Sequence, residues 1–293
     1  MKSSVSIAIT KPSAIADYLT LMKPELTFLS VLTAVGGAYL GMREAVHYPL
    51  LVHTLVGTTL VGGGAGALNQ YVERNFDRLM KRTGHRPLPS GSMQPAHALA
   101  FGLLLAVSGC AYLSVAANIT SGGLAAMTLC VYLCLYTPLK RRTPFATVVG
   151  GIPGALPPLI GWAVVRGALS MEAWSLFFIL FFWQMPHFLS LAWMFRKDYA
   201  RAGYKLLVVV DPDGQVTGRQ ILVSCCALIP ASLLPTVIGF SGSLYFLSAL
   251  LLTGSFLATG VLFFRTRTVV AARRIFYSSL ALLPLLFAAL ILA

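Results

Sequence analysis

Nine acidic residues in 293 are few enough to weigh one by one, and two of them repeat at helical spacing with an amide. Asn69, Glu73 and Asp77 stand four residues apart in the stretch Asn69-Gln70-Tyr71-Val72-Glu73-Arg74-Asn75-Phe76-Asp77-Arg78-Leu79-Met80-Lys81-Arg82-Thr83. At about 100° per residue they fall within about 80° of one helix face, stacked turn upon turn. Arg74, Arg78 and Arg82 form a second stripe beside them, so acids and guanidiniums can neutralise one another. Two carboxylates plus an amide, flanked by arginines, suit a Mg²⁺-diphosphate, because Mg²⁺ is held by one or two protein carboxylates plus phosphate oxygens. Guanidinium forks match the remaining phosphate charge. The plainer alternative is a salt-bridged helix end at a membrane surface.

Two further stretches carry polar groups that need a reason. Trp183-Gln184-Met185-Pro186-His187-Phe188 places a histidine 11 residues before Asp198, hence roughly 16 Å away along a helix axis. If that helix continues, Gln184, His187 and Asp198 share about a 60° arc and face one cavity. Pro186 removes a helical hydrogen bond and can kink the chain beside His187. Tyr136-Thr137-Pro138-Leu139-Lys140-Arg141-Arg142-Thr143 reads either as a basic anchor or as a second wall facing a diphosphate. Of the other acids, Asp17, Glu25, Glu44 and Glu172 read as solvated interface. Asp211 and Asp213 read as turn residues of Asp211-Pro212-Asp213-Gly214, inside a long connection over 196–218 that could form a lid.

The elements that must position these residues are membrane helices. The chain is 57% hydrophobic and 11% charged, with 26 Gly, and its mean hydropathy is +0.79. With 31 charged residues it cannot clothe a soluble core of this size, which excludes a soluble enzyme, a disulfide scaffold and a disordered chain. Runs of about 20 apolar residues, the length that spans a bilayer core, lie near 24–42, 50–72, 96–117, 121–138, 145–165, 172–195, 219–240, 243–264 and 274–293. Connections after the even-numbered spans hold the basic residues; those after odd spans hold only Arg43 and Arg166. With Lys2, Lys11 and Lys23, 20 of the 22 Lys and Arg fall on one side, which makes the N-terminus and basic loops cytoplasmic and, with nine spans, the C-terminus external. The net charge of +13 is therefore membrane topology rather than a nucleic-acid surface.

The five cysteines lie in apolar stretches and read as small buried hydrophobes, without a metal site at Cys130 and Cys134. Asn118-Ile119-Thr120 fits a glycosylation sequon by chance. The run Gly62-Gly63-Gly64-Ala65-Gly66-Ala67 strips side chains from the span just before the carboxylates, either for close helix packing or to make room for a ligand.

These residues resemble a family. Asn69-x-x-x-Glu73-x-x-x-Asp77 is similar to the first acidic motif of the UbiA-type intramembrane prenyltransferases, and Tyr136-x-x-x-Lys140 to their tyrosine-lysine element. The stretches 69–83 and 140–144, Pro157-Pro158-Leu159-Ile160-Gly161-Trp162 and 183–188 resemble the heme-farnesylating branch in particular, and the likeness covers roughly residues 20 to 210. One departure is that Asp198 is followed four residues later by Ala202, so the family's second acidic motif is reduced; this weakens any arrangement with two fully carboxylate-bound metal ions. The resemblance implies an all-α integral membrane protein of nine transmembrane helices with a cytoplasm-facing active-site cavity, the first 23 residues forming a cytoplasmic segment and residues 24–293 one prenyltransferase domain in a bacterial inner membrane.

It implies transfer of a farnesyl group from farnesyl diphosphate to a vinyl group of heme B, with addition of water to give heme O, which a downstream heme A synthase or terminal oxidase would receive. On that reading Glu73, Asp77 and Asp198 hold Mg²⁺. Asn69, Arg74, Arg78, Lys81, Arg82, Tyr136, Lys140 and Arg141 face the diphosphate. Gln184, His187 and Trp183 lie by the porphyrin, His187 as an axial iron ligand, a propionate contact or a proton acceptor. The rivals are a prenyltransferase for a quinone or chlorin precursor, a transporter using the carboxylates for a coupling ion, and a structural assembly factor for an oxidase. The transporter lacks a visible inverted repeat and places its charges at one membrane face, and the assembly factor gives no reason for stacked carboxylates.

Overall fold

The computed structural model describes residues 14–42 and 45–292; Lys2, Lys11, Arg43 and Glu44 of the topology above lie outside them. The helices are α1 (Ala14–Leu21), α2 (Pro24–Gly41), α3 (Tyr48–Asp77), α4 (Pro87–Ser90), α5 (Pro95–Ala116) and α6 (Ile119–Cys130). After a π-helical turn over Val131–Tyr136 come α7 (Thr137–Leu139), α8 (Ala146–Ala155), α9 (Pro157–Arg166), α10 (Met171–Met194), α11 (Arg196–Arg201) and α12 (Leu207–Val210). Three long helices finish the chain: α13 (Gln215–Val237), α14 (Ser243–Thr266) and α15 (Val269–Leu292). Among the described residues there is no strand. Eight helical segments are long and apolar enough to cross a membrane, and α1 with α2, bent by 49°, pass the same test together to make up to nine. The expected spans agree to within a turn or so.

Two departures have local causes. The fifth span is two helices, α8 and α9, meeting at Leu156, because Pro157-Pro158 removes two donors and crowds the residue before it. The segment expected to be a cytoplasmic tail contains α1, which packs on α3 and α4 and buries Leu21 completely.

α3 packs between α2 and α5, α2 lies along α9, and α10 runs through the middle against α8, α9, α13 and α15. α14 bridges α13 and α15, and Phe287 of α15 reaches Gly36 of α2. Lipid supplies no hydrophobic drive between helices, so close contact must come from small residues. Gly37 faces the Pro158 backbone and Gly161 the Ala34 carbonyl, so no Cβ fits at either crossing of α2 and α9. The glycine run of α3 serves the same end. A Cβ at Gly64 would lie 2.6 Å from the Ala106 backbone nitrogen of α5, and one at Gly66 would lie 2.9 Å from the Leu21 carbonyl oxygen of α1. Of the two readings of that run, close packing is the one realised.

Trp162, Leu159, Leu176, Ile179 and Leu189 are buried, whereas Phe28, Leu104, Val107 and Leu251 point outward, an apolar exterior that only a bilayer would cover. The cysteines correct the expectation of burial: all five are free, Cys225 is buried, Cys110 half-buried, and Cys130, Cys134 and Cys226 lie on the outer surface. Asn118 is the N-cap of α6, accepting the Ser121 N–H at 3.0 Å, which gives the sequon residues a structural role.

Candidate active site

The acidic face of α3 lies as its spacing requires. Asn69, Glu73 and Asp77 are 1%, 7% and 1% exposed, so each charge must find a partner or pay for desolvation. Glu73 Oε1 accepts from Lys140 Nζ at 2.5 Å and from the Tyr204 hydroxyl at 3.1 Å. Asp77 Oδ2 pairs with Arg86 at 2.8 Å, and the Asp77 carbonyl accepts the Thr83 hydroxyl at 2.9 Å, which closes the chain reversal after the helix. Asn69 takes Lys23 Nζ on its oxygen at 2.5 Å and donates to Thr137 Oγ1 at 3.3 Å. Burial by itself would favour neutral Lys140, but the Glu73 carboxylate holds its pKa well above the ordinary lysine value. Burial, then the Glu73 carboxylate, push the Tyr204 phenol upward.

Each partner arrives by a local device. The π-helical turn over Val131–Tyr136 shifts the register before Thr137 and Lys140, a feature common at functional sites. Lys140 Nζ then lies 4.7 Å from the Tyr136 ring centroid. Gly203, at φ 74°, ends α11 in the left-handed conformation, with the Tyr204 N–H returning to the Tyr199 carbonyl at 3.1 Å. The Lys205 N–H donates to the Lys140 carbonyl at 2.9 Å, which ties the loop carrying Tyr204 to the segment carrying Lys140. Lys23, in the bend between α1 and α2, has φ 50° and ψ 64°, a left-handed conformation that costs a lysine about 1–2 kcal/mol. Gln70 Nε2 holds that bend from α3, donating to the carbonyls of Thr20 at 2.8 Å and Leu21 at 3.2 Å. Lys23, Arg86, Thr137 and Tyr204 were not singled out in the sequence as site residues; the one available signal was Lys23 directly before Pro24 at the end of a span.

The arginine stripe does not neutralise the acids. Arg74 folds back on Tyr71, donating to its carbonyl at 2.6 Å and lying 4.5 Å from its ring. Arg78 is beyond the last helical residue and donates to the Pro89 carbonyl at 3.3 Å. Arg82 donates to the Tyr199 hydroxyl at 3.1 Å, and Arg141 lies 3.9 Å from the Phe76 ring. Arg78, Lys81, Arg82 and Arg141 are exposed around the buried centre. The reason is geometric: the helix stops at Asp77, so the four-residue register that would align Arg78 and Arg82 with the acids is lost.

Asp198 also departs from its expected place. α10 ends at Met194, and Phe195 leaves helical geometry at φ −106° and ψ 16°. The shared arc with Gln184 and His187 is therefore broken. Asp198 pairs with Arg201 at 3.2 Å on the short α11, and among the described residues no three acids, histidines or cysteines are grouped to hold a metal. Asp211 accepts the Thr217 N–H at 2.7 Å and so caps the start of α13, as its reading as a turn residue requires.

The polar residues of α10 face different neighbours. Gln184 donates to the Gly151 carbonyl of α8 at 2.6 Å, and Trp183 donates to the Ser279 carbonyl of α15 at 2.8 Å. His187 is stacked between Trp183 and Phe276, at 5.1 and 4.8 Å, with Nδ1 2.7 Å from Ser279 Oγ. Ser279 gives its hydroxyl hydrogen to the Phe276 carbonyl at 2.6 Å.

A model described as the UbiA prenyltransferase family matches residues 30–290. The chain belongs to that family. Among curated UbiA relatives, a protein of Solibacter usitatus (strain Ellin6076) named protoheme IX farnesyltransferase is 47% identical, over 94% of this chain and 98% of its own. A solved structure of digeranylgeranylglyceryl phosphate synthase has a TM-score of 0.79 at 16% identity, covering 95% of this chain and 97% of its own. That of a UbiA homologue from Archaeoglobus fulgidus bound to DMAPP and Mg²⁺ has a TM-score of 0.67 at 16% identity, covering 94% and 99%. Both share the UbiA fold with this multi-pass membrane protein.

Proposed function

We propose that the chain transfers the farnesyl group of farnesyl diphosphate to a vinyl group of heme B, with addition of water, giving heme O and diphosphate. The observation that carries the reading is the buried face of Asn69, Glu73 and Asp77 met by Lys140, Arg86 and Lys23, in a chain 47% identical to a relative named for this reaction. Two hard carboxylates and an amide oxygen fit Mg²⁺, which typically takes few protein ligands and fills its shell with phosphate oxygens and water. Glu73 and Asp77 are the ligands, with Asn69 beside them; Asp198 is not assigned. Bound there, Mg²⁺ would neutralise charge on the departing diphosphate.

The remaining chemistry falls to the protein's own groups. Lys140, Lys23 and Arg86 stabilise negative charge as the bond between the farnesyl carbon and oxygen breaks and the electron pair leaves with diphosphate. Arg78, Lys81, Arg82 and Arg141 attract the anion from the rim. The vinyl π electrons then form the new carbon–carbon bond to the allylic cation, and water adds to the cation left on the porphyrin side and loses a proton. His187, with Nδ1 held by Ser279, has Nε2 left for the heme, and Ser279 fixes the ring as such partners do for metal-bound histidines. The lysine and arginine asymmetry supports a site at the cytoplasmic face and the likeness to the Solibacter usitatus protein supports a bacterial inner membrane, from which a heme A synthase or terminal oxidase would take the product.

The test is mass spectrometry of hemes extracted from membranes containing the chain, with and without farnesyl diphosphate. A heme that gains a farnesyl group and water is the expected product. Unchanged heme B alongside folded protein would refute the acceptor and turn attention to quinone or chlorin precursors.

A further inference from the structure

A second cluster of positive charge has no part in the chemistry above. Gln215 and Arg219 on the first turns of α13, and Phe264, Arg265 and Arg267 at the end of α14, line a cavity of about 300 Å³. Arg219 and Arg265 are exposed and Arg267 half-buried. None of the three guanidiniums has an ion pair or side-chain hydrogen bond among the described residues. The nearest acids in sequence do not balance them: Asp211 is used on the Thr217 N–H, and exposed Asp213 offers a single charge.

Two details separate this cavity from an ordinary scatter of basic residues at a membrane face. α13 and α14 are in contact beside it, a Cβ at Gly218, next to Arg219, lying 3.4 Å from the Phe264 Cα. Arg267 caps α14 at φ 51°, its N–H returning to the Phe263 carbonyl at 2.8 Å. That is a position glycine fills without steric conflict and an arginine does not. The chain keeps a guanidinium where backbone geometry favours having no side chain.

We infer that this cavity binds the phosphate headgroup of an anionic phospholipid from the surrounding bilayer. Guanidinium forks match phosphate oxygens in pairs, basic pockets between helix ends on the cytoplasmic side hold such headgroups, and the exposed Phe264 ring offers an apolar wall to the glycerol and upper acyl chain. The occupant comes from the bilayer rather than from solution because both walls are ends of membrane-spanning helices.

The purified full chain in detergent is titrated with phosphatidylglycerol, phosphatidylcholine or inorganic phosphate, and binding is read by native mass spectrometry and thermal melting. Phosphatidylglycerol should stay bound and raise the melting temperature, while phosphatidylcholine and phosphate should not. Each basic side chain near an anionic headgroup is worth about five-fold in affinity, so Arg219→Gln with Arg265→Gln should weaken phosphatidylglycerol binding roughly 25-fold. The control pair Arg273→Gln with Arg274→Gln, which removes equal charge from the start of α15 outside the cavity, should weaken it less than about five-fold. Equal losses in the two pairs, or equal binding of the two lipids, would reduce the cluster to general surface charge. Displacement by phosphate alone would make it a site for a soluble anion. Should the first pair not fold, Arg267→Gly decides: relief of the backbone should raise melting in phosphatidylcholine while the preference for phosphatidylglycerol falls about five-fold, and an unchanged preference overturns the inference.

Discussion

Lys140→Met tests whether the pairing in the site is structural, catalytic or both. The Lys140 and Glu73 side chains are 11% and 9% exposed, so the energetics of a buried pair apply. Removing one partner of such a pair costs about 3–5 kcal/mol, because the other charge stays desolvated. The Tyr204 hydroxyl donates to Glu73 in the variant as in the parent, so the stranded carboxylate keeps one hydrogen bond and the cost falls at the lower end of that range, about 3 kcal/mol. On the specific entropy of globular domains, a chain of this length loses roughly 2 °C per kcal/mol, so the melting temperature should fall by about 5 °C. Adding Glu73→Gln removes the stranded charge, and the double variant should melt within about 2 °C of the parent.

Turnover should behave differently. Both variants lose a group that meets developing negative charge, and each should fall about a hundred-fold or more. The pH dependence carries the sign of the Lys140 shift. Its pKa is raised in the folded protein, so its contribution is complete below the ordinary lysine value of about 10.4 and is lost only as pH rises through the higher folded value. The melting difference between Lys140→Met and parent should therefore be flat from about pH 6 to 9. A single variant that melts like the parent, or a double variant that regains turnover, would refute the reasoning.

Asp77→Asn should abolish farnesyl transfer while the protein still folds, because Arg86 can keep a hydrogen bond to the amide oxygen; a folded variant with parental turnover would remove Asp77 from the metal site. His187→Ala should leave Mg²⁺-dependent diphosphate binding intact while the absorption spectrum of bound heme changes, and an unaltered spectrum would return His187 to a packing role between Trp183 and Phe276. Tyr204→Phe should cost about 1.5 kcal/mol, the worth of one hydrogen bond to a carboxylate, and less than ten-fold in turnover; a larger loss would place the phenol on the substrate. Chelation of divalent cations should weaken binding of inorganic diphosphate at least ten-fold, as calorimetry would read, and binding indifferent to chelation would count against metal at Glu73 and Asp77.

The acidic face of the site was legible in the sequence because its geometry is set by a single unbroken helix. Asn69, Glu73 and Asp77 follow from a period of 3.6 residues because α3 runs without interruption to Asp77. Where a helix ends, the same arithmetic fails. Arg78 and Arg82 lie past the end of α3, and Asp198 lies past the break at Phe195, so both expected alignments were lost at a boundary. Spans are legible because length and apolarity fix them, whereas the π-helical turn before Lys140 and the left-handed Lys23 are choices made by neighbouring helices. Tyr204 and Arg86 reach the centre only through loops, where spacing in the sequence carries no distance.

The charge count of the site bears on how substrate and metal depend on one another. Lys140 and Arg86 balance Glu73 and Asp77 in a buried space, and Lys23, held on the Asn69 oxygen, adds at most one positive charge in excess. On the proposed reading Mg²⁺ brings two more, and a diphosphate ester carries roughly three negative charges near neutral pH. Neither alone is balanced: the metal by itself deepens a positive excess, and the diphosphate by itself overshoots it. Both together bring the site close to neutrality, the state in which burial costs least. Metal and diphosphate therefore favour each other's binding without any movement of the helices, and by reciprocity each strengthens the other equally. The pairing of the protein's own groups serves the interval before they arrive, since it holds the two carboxylates in place. On that reading Lys140 and Arg86 would already lie within reach of a Mg²⁺-diphosphate held by Glu73 and Asp77, and charge that stabilises the fold would become charge that stabilises the leaving group.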